Sequence, residues 1–107
     1  MEKLAAIAEA MKTEAAGETG KAWRPLERGL YLKLRRDGLE WVLSLTRLGV
    51  KPSDLELSIC RQAFGVPEGA EIEGEEIPPF YVRRVRWLGV SQAELFDAPV
   101  MLVIFRD

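Results

Sequence analysis

At 107 residues, 48% hydrophobic and 30% charged with a net charge of −2, the chain has the size and composition of one globular domain around one core. It contains no histidine and a single cysteine, Cys60. That excludes an internal disulfide, a Cys/His structural zinc site and acid–base chemistry by imidazole.

No apolar run reaches the ~20 residues of a membrane-spanning helix, and Met1-Glu2-Lys3 does not start a secretory signal, so a cytoplasmic protein without membrane contact is expected. The absence of asparagine, with ten arginines and thirteen glutamates against four aspartates, gives a thermophile-like composition.

Residues 2–16 are strong helix formers, and Leu4, Ile7, Ala8, Met11 and Ala15 follow the three-and-four spacing of one helical face. Gly17 reads as the helix stop and Gly20 as a joint, which sets residues 1–20 apart from a domain over 21–107. This segment either docks through its apolar face or serves as an arm for a partner. The marginal stability of short isolated helices favours docking.

In residues 28–49 two alternating apolar runs flank Asp37-Gly38, the signature of a β-hairpin with strands near 30–35 and 39–47. A two-residue Asp-Gly turn pairs Leu34 with Trp41, Leu32 with Leu43 and Leu30 with Leu45 on one face. The other face then carries Tyr31, Lys33 and Arg35 opposite Ser44, Val42 and Glu40.

A helix over about 54–64 is predicted by Ser53 and Glu56 as a capping box, with Gly65 and Pro67 behind it. Leu55, Leu57, Ile59, Cys60, Ala63 and Phe64 form a wide apolar arc suited to lying across the leucine side of the hairpin. Residues 68–79, with five Glu, two Gly and two Pro, read as a solvated acidic loop. In 80–88 the aromatic and valine content favours a strand over a short helix. A second capping box, Ser91 with Glu94, predicts a short helical turn, and the apolar run 100–105 predicts a covered strand. The order of elements predicts an α+β fold, a three- or four-stranded, mainly antiparallel sheet packed by helices.

Motifs for catalysis are missing from the sequence. There is no G-x-S-x-G elbow, no phosphate loop and no EF-hand pattern, and Cys60 lies on an apolar arc with no histidine to activate it. The expectation is a chain that is not an enzyme and carries no cofactor or metal.

Charge is segregated: residues 21–61 hold nine basic and five acidic side chains, 80–88 hold three arginines and no acid, and 66–79 hold five glutamates. Tyr31, Lys33 and Arg35 on the hairpin, with Tyr81, Arg83, Arg84, Arg86 and Trp87 on the later strand, make the candidate interaction surface. Two readings follow. One is a small regulatory protein that docks on a protein partner, its segregated charge giving specificity. The other is a nucleic-acid-binding module, since rings beside cations on an open sheet stack bases and contact phosphates. The net charge of −2 and the nearby glutamates count against the second. A homodimer is a further expectation, because a free hairpin edge and an apolar helix are both suited to symmetric pairing.

Overall fold

The computed structural model describes residues 2–89. The expected Ser91 capping box and the 100–105 strand lie outside them. The fold is α+β: helices α1 (Glu2–Ala15) and α2 (Asp54–Ala63) and strands β1 (Lys21–Pro25), β2 (Leu30–Asp37), β3 (Glu40–Leu48), β4 (Glu71–Ile77) and β5 (Phe80–Leu88). Among the described residues the sheet has five strands rather than three or four. Its order is β1-β2-β3-β5-β4, and every neighbouring pair is antiparallel.

The hairpin forms with its register moved by two residues from the expected one. Asp37 pairs with Glu40, Leu34 with Leu43 and Leu32 with Leu45, so the loop is Gly38-Leu39. An Asp37-Gly38 turn of type I′ would need positive φ at both residues, but only Gly38 has it, at 64°. Glycine at the first central position suits a type II′ turn instead, and Asp37 extends β2. Because the side-chain period is two, a shift of two leaves each residue on its expected face.

Two strands were not expected. Lys21–Pro25, for which the sequence reading has no element, pairs with β2 as an edge strand, with Ala22 buried opposite Leu34. Glu71–Ile77, read as loop, pairs along β5, because Glu73 and Glu75 meet cations there: Arg86 at 3.0 Å and Arg84 at 2.7 Å. These diagonal cross-strand pairs offset the poor strand propensity of glutamate and glycine. Pro78-Pro79, joined by a cis peptide bond, forms the turn of this second hairpin. Since β1 and β5 flank the first hairpin, it has no free edge. Among the described residues the sheet edges are β1 and β4.

Both helices lie on one side of the sheet. Ala8, Met11 and Ala15 of α1 and Leu57, Cys60 and Phe64 of α2 are buried with Ala22, Leu30, Leu32, Leu34, Leu43, Leu45 and Val85. The apolar face of α1 is thus used inside the chain. The expected capping box is present, with Glu56 N–H donating to Ser53 Oγ at 3.1 Å and Ser53 N–H to Glu56 Oε1 at 2.8 Å. Leu55 departs from the expected apolar arc and is exposed in the first turn of α2.

Among the described residues three ion pairs tie the helices to the sheet: Arg24 with Glu14, Arg47 with Glu56, and Arg83 with Asp54 at 2.6 Å. No helix among the described residues is long and apolar enough to cross a membrane.

Candidate interaction face

Successive side chains of a strand point to opposite faces, so the register of the sheet sorts its residues into two sets. One set faces the helices. The other carries Lys21, Trp23 and Pro25 from β1, Tyr31, Lys33 and Arg35 from β2, and Val42, Ser44, Thr46 and Leu48 from β3. From β5 and β4 it receives Phe80, Val82, Arg84, Arg86, Glu71, Glu73, Glu75 and Ile77. No helix among the described residues covers this second face.

The residues predicted from sequence divide between the two faces. Tyr31, Lys33, Arg35, Arg84 and Arg86 share the open one. Tyr81, Arg83 and Trp87 sit on the helix side, where Trp87 stacks on Trp41 with ring centroids 6.3 Å apart and Arg83 also donates to the Pro52 carbonyl at 3.3 Å.

Charge on the open face is uneven. Arg84 is matched by Glu75, and Arg86 by Glu73 and, at 3.4 Å, by Glu40. Glu73 holds the Arg86 guanidinium above its usual pKa, chiefly through their hydrogen bond. On the other half, Lys21, Lys33 and Arg35 have no carboxylate partner among the described residues. Between the halves, Lys33, Arg35 and Arg84 surround a shallow groove of about 250 Å3 with Ser44 and Thr46 on its wall and Val42 and Val82 in its floor.

One end of the face is apolar. Leu48 pairs with Phe80, and Phe80 with Ile77, which places three large side chains in one row across β3, β5 and β4. They are 56%, 40% and 48% exposed, respectively. At the β1–β2 side, Trp23 and Tyr31 stack with centroids 5.6 Å apart and both remain exposed. A row of this kind inside a charged surface has the make-up of a docking site, apolar in one part and polar around it.

The sequence reading missed Trp23, Leu48, Phe80 and Ile77. Ile77 was hidden because β4 was not recognised, Phe80 because the pairing that sets it between Leu48 and Ile77 is not written in its own strand, and Trp23 because a five-residue strand gives almost no periodic signal. The available clue was the spacing of Glu71, Glu73 and Glu75, two apart like Arg84 and Arg86, which is how two paired strands neutralise each other on one face.

Glu56 and Cys60, both on α2, are the two groups displaced furthest from their usual values. Glu56 is held down to about 2, first by the ion pair with Arg47 and then by the Ser53 N–H, against the opposing effect of burial. The Cys60 thiol is pushed up to about 11 by burial and by Glu56, which leaves it neutral and a poor nucleophile. Among the described residues there is no group of three or more side chains placed to hold a metal ion. Compared with known proteins, the chain matches no family model, no curated protein and no solved structure.

Proposed function

We propose that this protein is a small cytoplasmic interaction module, without catalytic activity of its own, that docks a protein partner on the open face of its sheet. The observation that carries the reading is the exposed Leu48–Phe80–Ile77 row beside the Trp23–Tyr31 stack, large apolar groups left in water on a face that no described helix covers. Burying such a cluster against a partner supplies affinity, and the uneven charge around it selects and orients that partner. A free, neutral Cys60 agrees with a reducing compartment. The partner is another protein or a second copy of this chain.

Phe80→Asp tests this directly. The variant stays folded, losing about 1 kcal/mol of unfolding free energy with its cross-strand packing. Its capture of the partner from native extract weakens by at least about tenfold, the effect of charging an apolar anchor. The mass of the crosslinked product tells another protein from a second copy. Unchanged capture contradicts the reading.

One observation favours a second reading, a single-stranded nucleic acid on the same face: Lys33 and Arg35, without a carboxylate partner among the described residues, line a groove next to an exposed aromatic stack. Fluorescence anisotropy of a labelled single-stranded oligonucleotide decides it. Binding that weakens steeply with salt and is lost in Trp23→Ala supports it, and no salt-sensitive binding at low ionic strength removes it.

A further inference from the structure

On the helix side of the sheet, α1, α2 and the Pro25–Leu30 segment line an open cleft of about 630 Å3, within the size range of small-molecule sites. Its walls are apolar: Leu4 and Ile7 from α1, Leu26 and Leu30 from below, and Ile59 and Cys60 from α2. Its mouth carries two cations from separate elements, Lys3 and Arg28, neither of which has a carboxylate partner among the described residues. Of the two acids in the lining, Glu56 is committed to Arg47 and Ser53, which leaves Glu27 against two cations among the described residues.

Arg28 adds an independent sign. It has φ 59° and ψ 30°, and no other non-glycine described residue has positive φ. Arg28 lies in the turn that joins β1 to β2, where a left-handed residue is ordinarily glycine, asparagine or aspartate, and strained residues of other types also cluster at ligand sites. Glycine would fill this position with less strain. What arginine contributes instead is a guanidinium at the rim of an apolar cleft, a fork that matches a carboxylate.

We infer that this cleft binds a single-chain aliphatic carboxylate, with its hydrocarbon tail between α1 and α2 and its head group at Arg28 and Lys3. The inference goes beyond the interaction face and stands whether or not that face has a partner.

Calorimetric titration of the full chain with decanoate at low ionic strength tests it. One site per chain is expected, with Kd on the order of 100 µM for a ligand of this size. 1-Decanol, which has the same tail and no charge, is expected to bind at least about tenfold more weakly, the difference a charge-assisted contact makes. Ile59→Trp fills the cleft and abolishes binding.

Arg28→Gly is the sharpest variant, because it removes both the cation and the backbone strain. Its unfolding midpoint rises while its decanoate affinity falls about tenfold or more. A role in folding alone would not couple a gain in stability to a loss of affinity. The proposal is overturned by the absence of saturable decanoate binding, by equal affinities for decanoate and decanol, or by full affinity in Arg28→Gly. Binding that arises only after residues 90–107 are removed also overturns it, since that segment would then be the occupant of the cleft.

Discussion

Leu43→Ala is expected to lower the unfolding free energy by about 3 kcal/mol, whereas Leu48→Ala, five residues along the same strand, should change it by no more than about 0.5 kcal/mol. Leu43 has no exposed surface and lies between Leu34 and Val85 under the helices. Truncating it removes three carbons' worth of buried surface and leaves a void that packed neighbours fill only in part. Leu48 is on the opposite face and more than half exposed, so its truncation gives up little burial. Urea denaturation of the two variants makes the comparison at fixed residue type and fixed strand. Similar losses in both would mean that the open face is covered within the chain.

The second large effect is on pH. The Glu56 carboxyl is held near 2 in the folded chain against about 4.5 as its ordinary value. A depressed folded value means stability that is complete above the ordinary pKa and is lost as the pH falls from about 4.5 towards 2. Both partners are largely shielded, the Arg47 side chain 12% and that of Glu56 26% exposed, so solvent screens the pair only in part. The contribution at pH 7 is about 2 kcal/mol after discounting for that exposure.

Glu56→Gln should therefore be less stable than the parent chain by about 2 kcal/mol at pH 7, with the gap closing as the pH approaches 2. The variant also leaves Arg47 short of a counter-charge beside the core, with its Nε already buried and unpartnered among the described residues. Denaturation curves at pH 7, 5, 4 and 3 measure the gap. A gap that stays constant across this range would assign the loss to packing instead of charge.

The part of the fold legible in the sequence is the part with strong local signals. Ser53 and Glu56 announce the start of α2 in four residues, and β2 and β3 alternate for long enough that their faces hold even though the turn sits one residue further on. Leu43 and Leu48 can be assigned to opposite faces by parity alone. The strands that could not be read are those stabilised from outside themselves. β1 is five residues long and owes its place to β2, while every residue of β4 is exposed and its glutamates form a strand because Arg84 and Arg86 lie across from them.

The same limit shaped the candidate site. Lys33 and Arg35 were found because their strand was found. Arg83 was grouped with them by charge, yet it faces Asp54 on the helix side, because neighbours in sequence point to opposite sides of a sheet. The apolar row needs three strands at once, and only the pairing of Leu48, Phe80 and Ile77 brings it into being.

The claim that one sheet face is core and the other is open surface is tested most directly by hydroxyl-radical footprinting of the isolated full chain at low concentration, read out residue by residue by mass spectrometry. Trp23, Tyr31 and Phe80 should be oxidised readily, while Met11 and Phe64, both buried under the helices, stay protected until the chain is unfolded. Protection of Trp23, Tyr31 and Phe80 to the level of Phe64 would contradict it.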